Sequence, residues 1–242
     1  MSERGSDLDP DLRNALQELV ARLPAGGNPE LIERLLYQVV ELPSKNVDTG
    51  ELKLLSSSLS DFVRAFEVFG EHRGRKKLSI FGSARSKSDT PIYAHAKAFA
   101  AEAVARGYMV ITGAGPGIMQ ACNEGATREH SFGVSIDLPF EASANPAIDG
   151  DPKLINFKYF FTRKLAFVKE SAAIVLFPGG VGTLDEGYEA LTLLQTGKSD
   201  PVPVVLMDLP GGDYWPAWER YARENLLARG LISPSDGNLY SY

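Results

Sequence analysis

The sequence predicts a doubly wound α/β fold, a parallel sheet with helices on both faces, preceded by an all-helical extension. From Leu78 onward, short apolar runs alternate with helical stretches, which is the signature of repeated strand–helix units. One run, Ala173–Phe177, is apolar throughout, as expected for a strand covered on both sides. Three of the runs end in loops of small residues, at the strand ends where such sheets bind ligands.

The elements follow in chain order. Residues 1–9 are polar and are expected to be disordered. Leu12, Leu16, Leu19, Val20 and Leu23 then recur at helical spacing, and Pro24-Ala25-Gly26-Gly27 ends that pattern. Leu31, Leu35, Leu36, Val39 and Val40 suggest a second helix, closed by Pro43. A third begins after Asp48-Thr49-Gly50-Glu51, where Asp48 and Glu51 have the spacing of a capping box. It runs through Leu52, Leu55, Leu59, Phe62, Val63, Phe66 and Phe69. The basic run Arg73-Gly74-Arg75-Lys76-Lys77 reads as a solvated joint rather than a nucleic-acid patch, because it is short and the chain is acidic. Two domains are therefore expected: a helical extension over residues 1–72 and a Rossmann-like nucleotide-binding domain over residues 73–242. In the second, strands are expected at 78–81, 108–112, 132–136, 154–157, 173–177 and 202–207. Helices are expected near 92–105, 117–128, 162–171, 184–196 and 215–229.

Composition narrows the function classes. Hydrophobic residues make up 44% and charged residues 23% of the 242 residues, so a sizeable core is affordable. A net charge of −6 argues against a nucleic-acid polymer or an anionic membrane as the main partner. The single cysteine, Cys122, excludes an internal disulfide and fits a reducing compartment. No secretory signal or run of about 18 apolar residues is present, so a cytoplasmic protein is expected. His72, His95 and His130 have no metal-ligand spacing, and no G-x-S-x-G elbow occurs. Neither a metal nor a cofactor is expected.

The three loops carry the chemistry. The first is Phe81-Gly82-Ser83-Ala84-Arg85. The second, Gly113-Ala114-Gly115-Pro116-Gly117, approximates a dinucleotide fingerprint as G-x-G-x-G, with Asp137 after the next strand as a candidate ribose acid. An NAD-linked oxidoreductase therefore stays open on this loop. The third, Pro178-Gly179-Gly180-Val181-Gly182-Thr183, opens a helix whose free N–H groups and positive dipole end favour an anion. No Lys-Ser or Lys-Thr pair follows its last glycine, so a monophosphate fits better than a triphosphate with magnesium. Thr183 is expected to cap that helix or to donate to phosphate, with Glu186 projecting from its first turn. Arg163 and Lys164 are expected in the first turn of a helix capped by Thr162. Cations are disfavoured at that end, and a local rule broken in this way is the mark of either a site or a plain surface pair, which spacing alone does not separate.

Taken together, residues 178–186 spell P-G-G-x-G-T-x-x-E and resemble the motif of the Lonely Guy family. Arg163-Lys164 is similar to that family's Arg-Lys pair, and Gly82-Ser83 and Gly113–Met119 resemble its earlier loops. The resemblance spans about Leu78 to Leu231. It implies a phosphoribohydrolase that releases the base from AMP or from cytokinin riboside 5′-monophosphates, a role in cytokinin biosynthesis, and a homodimer or higher homo-oligomer. Family members are often labelled lysine decarboxylases, but the chain supplies no recognisable pyridoxal-phosphate lysine site. The helical front third, with Ala84 and Arg85 in the first loop, departs from small members and points to a longer bacterial subgroup. The chain stops at Tyr240-Ser241-Tyr242 where similar longer proteins continue, so a truncated tail is expected. The resemblance assigns catalysis to Arg163 and Glu186. It assigns substrate binding to Ser83, Gly113, Gly115, Lys164, Gly179, Gly180, Gly182 and Thr183. The alternative is a non-catalytic carrier or sensor of a nucleotide or of the molybdenum cofactor.

Overall fold

The computed structural model describes residues 9–24, 27–137 and 144–242. The polar start expected at residues 1–9 lies, but for Asp9, outside the described residues, as do Ala25 and Gly26 of the expected break. Packing divides the chain into residues 1–56 and 57–242.

The first unit contains α1 (Pro10–Ala21), α2 (Pro29–Glu41) and the opening of α3 (Thr49–Gly70). Both α1 and α2 start at a proline behind a polar cap: Asp9 accepts from Asp11 N at 2.8 Å and Asn28 from Leu31 N at 3.2 Å. The capping box holds, since Asp48 N donates to Glu51 and Glu51 N to Asp48, each at 2.8 Å. Glu33 on α2 joins the first two helices by accepting from Gln17 at 3.2 Å.

The division falls inside α3, ahead of the joint expected at the basic run. Ala65, Val68 and Phe69, at the far end of this 22-residue helix, are buried in the core of the α/β unit.

The second unit is built on one six-stranded sheet. Its strands are β1 (Lys77–Phe81), β2 (Met109–Thr112), β3 (Ser131–Ile136), β4 (Leu154–Phe157), β5 (Ala173–Leu176) and β6 (Val204–Leu206). They lie in the order β4-β3-β2-β1-β5-β6, and every pair is parallel. All six expected strands are present. Side chains alternate along β1 and β5: Ile80 and Val175 face one core cluster, Phe81 and Leu176 the other. The first cluster takes α4 (Pro91–Ala105) and α5 (Ile118–Ala126). The second takes the end of α3 with α6 (Phe160–Glu170), α7 (Val181–Gln195) and α8 (Tyr214–Tyr221). Both faces are thus covered, as the doubly wound reading requires. The chain steps outward from β1 to β4, then returns to place β5 on the other side of β1. The switch point therefore falls between β1 and β5, whose following loops are the first and third of the small-residue loops. No described helix is long and apolar enough to cross a membrane.

Candidate active site

At the switch point a cleft of about 500 Å³ opens, lined by Phe81–Arg85, Met119, Arg163, Gly180–Thr183 and Glu186. Ligands are expected outside the carboxyl ends of parallel strands at such a point. The loop after β5 is held from two sides. Pro178 O accepts from Ser83 N at 3.1 Å, and Gly179 O accepts from the Tyr214 hydroxyl at 2.6 Å. A Cβ on Gly179 would sit 2.1 Å from Thr183 Oγ1, so the turn closes only around a bare glycine. At Gly180 and Gly182 an added Cβ would meet nothing within 4 Å, so these glycines leave open room above the helix start.

Two local expectations change here. Gly180 is the cap residue of α7, and Thr183 is the third residue of the helix, buried against Gly179. The turn closes earlier than the sequence suggested because Gly180 N-caps the helix without a side chain. Glu186 accordingly projects from the second turn. The first intrahelical bond is Leu184 N to Gly180 O at 3.1 Å. The N–H groups of Val181, Gly182 and Thr183 precede it and have no intrahelical acceptor.

Glu186 is 16% exposed at its side chain, and Arg163 is 8% exposed as a residue. Burial raises the Glu186 pKa to about 7, against the pull of Arg163, while Asp185 raises it further. Arg163 Nη2 stands 4.0 Å from Glu186 Oε1. Its Nε donates to Val134 O at 3.0 Å, and its guanidinium lies 5.4 Å from the Phe167 ring centre. Arg163 is thus fixed at the base of the cleft with one edge turned toward Glu186.

The helix carrying Arg163 starts earlier than expected. Phe160 begins α6 behind Tyr159, so Thr162 lies inside the first turn and does not cap it. A contact far away in sequence braces this start: Asp61 of α3 accepts from Thr162 Oγ1 at 2.7 Å and from Lys158 N, just ahead of the helix, at 3.1 Å. This carboxylate complements the helix N-terminus. Arg163 and Lys164 become the fourth and fifth helical residues, past the strongest part of the dipole. Lys164 does not line the cleft. It spans Asp185 at 2.7 Å and Glu189 at 3.1 Å on α7. Burial works against its charge, but these two acids outweigh it and hold its pKa above the ordinary value.

Gly113 and Gly115 also stay out of the lining. A Cβ on Gly113 would lie 2.6 Å from Arg163 Nη2, so this glycine makes room for the guanidinium. Gly115 O and Ala114 O each lie 3.0 Å from Asn145 Nδ2, in a buried hub completed by Thr112 and Asn123. The first N–H of α5, from Ile118, is spent on Ser83 O at 3.0 Å. A dinucleotide loop keeps that end free for a pyrophosphate; here the space holds protein, which disfavours the NAD reading.

The structure therefore brings together Ser83, Arg163, Gly180, Gly182, Thr183 and Glu186, and sets Gly113, Gly115, Gly179 and Lys164 around them as supports. Sequence reasoning missed Asp61, Met119, Asn145 and Tyr214 as contributors, and it treated Arg85 only as a departure from the family pattern. Asp61, Asn145 and Tyr214 act across long sequence separations, which local spacing does not register.

The sequence model of a family described as "Possible lysine decarboxylase" matches residues 119–242, more than half of the chain. The chain is 31% identical over 181 residues to a pyrimidine/purine nucleotide 5′-monophosphate nucleosidase of Escherichia coli K12, covering 71% of this chain and 39% of that one. It thus spans under two-fifths of that relative's length. Among solved structures, the molybdenum cofactor carrier protein of Chlamydomonas reinhardtii has a TM-score of 0.42 at 20% identity, over 62% of this chain and 85% of that one. DNA processing protein A of Helicobacter pylori has a TM-score of 0.41 at 17% identity, over 66% and 74%. With its family match and its P-G-G-x-G-T-x-x-E cleft together, the chain belongs to the Lonely Guy family, whose sequence model carries the lysine decarboxylase description.

Proposed function

We propose that this chain hydrolyses the N-glycosidic bond of nucleoside 5′-monophosphates, giving a free base and ribose 5-phosphate. The observation that carries the proposal is a buried carboxylate, Glu186, facing a buried guanidinium, Arg163, beside the open start of α7. The N–H groups of residues 181–183 take the 5′-phosphate, assisted by Arg85 across the cleft. From Gly182 to Glu186 the helix rises about 6 Å, a distance on the scale of a ribose between its phosphate and its anomeric carbon. Ionised Glu186 then stabilises the oxocarbenium-like sugar and orients the attacking water. The C1′–N bond breaks with its electron pair leaving on the base. Water supplies the hydroxyl to C1′ and the proton to the base. Arg163 holds Glu186 in place, and Lys164 acts through α7 by neutralising Asp185 and Glu189.

The nucleosidase relative supports pyrimidine or purine monophosphates as the substrate class. AMP and isopentenyl-AMP, the cytokinin precursor, are the substrates the family likeness favours. We assign the activity to the cytoplasm, in keeping with a single, buried cysteine. The working form is a homodimer or larger homo-oligomer: Val181 at the cleft is exposed, as are Phe160, Phe161 and Leu165 on the helix that carries Arg163.

Incubation with AMP, isopentenyl-AMP and adenosine tests the reading. Base release from the two monophosphates, with adenosine left intact, is expected. Tight nucleotide binding without base release would sink it and favour a carrier.

A further inference from the structure

The basic run that reads as a linker in the sequence lines a second cavity, of about 390 Å³, at the opposite end of β1 from the cleft. It brings together Arg73, Arg75, Lys76, Lys77 and Lys169, with Glu170 as the single acid among its lining residues. Part of this charge has a structural purpose. Lys77 Nζ is buried, donates to His72 O at 3.1 Å and Arg75 O at 3.3 Å, and stands 3.5 Å from Glu170. Lys169 pairs with the same carboxylate at 2.6 Å. The ends of α3 and α6 also meet here, at Gly70 and Glu170, and each helix C-terminus contributes about half a negative charge. Two half charges and one carboxylate offset two of the five cations, leaving a surplus of about three. Among the described residues no ion pair is made by Arg73, Arg75 or Lys76. In a chain of net charge −6 this surplus is local.

The geometry points to a binding site for a small phosphorylated molecule in this cavity, separate from the cleft. Its volume suits a small ligand, and arginine forks match phosphate oxygens two at a time. A nucleic-acid polymer fits less well, since the remainder of the chain is acidic and repels its long phosphate track. Burial holds the Lys77 pKa below its ordinary value, against the pull of Glu170. Lys77 therefore serves as floor, and the exposed residues Arg73, Arg75 and Lys76 make the ligand contacts.

The test is calorimetric titration of the full chain with inorganic pyrophosphate at low ionic strength. Three variants accompany the wild type. Arg73→Ala/Arg75→Ala/Lys76→Ala removes the proposed contacts. Lys87→Ala/Arg106→Ala/Lys198→Ala removes equal charge from exposed sites elsewhere. Gly180→Asp puts a carboxylate at the start of α7 and closes the cleft to anions. Gly180→Asp, from which the cleft's own anion site is removed, isolates the second cavity and is expected to bind one pyrophosphate. Adding the first triple substitution to it is expected to weaken that binding at least tenfold, whereas adding the second triple substitution leaves it unchanged. If the first combination fails to fold, Arg75→Ala and Lys76→Ala, each added singly to Gly180→Asp, must weaken binding. No binding to Gly180→Asp, or equal loss with both triple substitutions, overturns the assignment. So does retention of a single-stranded oligonucleotide at these residues without pyrophosphate binding.

Discussion

Glu186 sits where burial favours its neutral form while the proposed chemistry needs its charge. Its pKa of about 7 lies above the ordinary 4.5, so the folded protein holds this proton more tightly than the unfolded chain does. The stability this lends is complete below pH 4.5 and is lost as pH rises through about 7. Glu186→Gln removes the penalty. At pH 8 the variant should be more stable than wild type by on the order of 2 kcal/mol, and near pH 4 almost equal to it. Denaturant melts at the two pH values check this; a variant less stable at pH 8 would contradict it. The same ionisation predicts that kcat/KM for AMP rises with pH through a limb near 7, and that Glu186→Gln, where residual activity is measurable, lacks the limb. Gly113 gives a second test at this scale. A methyl group there collides with Arg163 Nη2, so Gly113→Ala should displace the guanidinium and lower kcat by tenfold or more. Rates near wild type would show that Arg163 tolerates another position.

Among the elements, α6 and α7 define the site, and each is fixed by contacts distant in sequence. Asp61 sets where α6 begins, through Thr162 and Lys158 N. Asp61→Ala would leave the Lys158 amide without its acceptor and the Thr162 hydroxyl with Tyr159 O alone, at a cost of about 1–3 kcal/mol. Lower stability together with reduced kcat at unchanged KM is the expected outcome; Asp61→Asn should recover part of both. Loss of stability with full kcat would separate the Asp61 contact from the catalytic geometry. Residues 178–186 were readable from sequence because a glycine loop, helix and acid lie within nine positions and share one local purpose. The start of α6 was not. The pattern suggested that Thr162 serves its own helix, whereas its hydroxyl reaches across to α3. Likewise Lys164 has the spacing of a site cation but is drawn sideways to Asp185 and Glu189.

For the molecule as a whole, the alternation of apolar runs with helices was enough to predict a parallel sheet, and all six strands are present. Strand order was beyond reach, because it depends on which loops cross the sheet and leaves no periodic trace. That order builds the cleft: putting β5 beside β1 brings Ser83 and Arg85 together with Gly180–Thr183 and Glu186. The packing division falls inside α3, and Ala65, Val68 and Phe69 at the end of that helix belong to the sheet's core. The basic run that follows lines the second cavity.

The most direct test of the cleft's proposed chemistry is product analysis of AMP incubated with wild type and with Glu186→Gln. The account predicts adenine and ribose 5-phosphate in equal amounts from wild type, and a rate lower by on the order of 10²–10³ from the variant. Adenine release unaffected by the substitution, or adenosine and free phosphate as products, would contradict it.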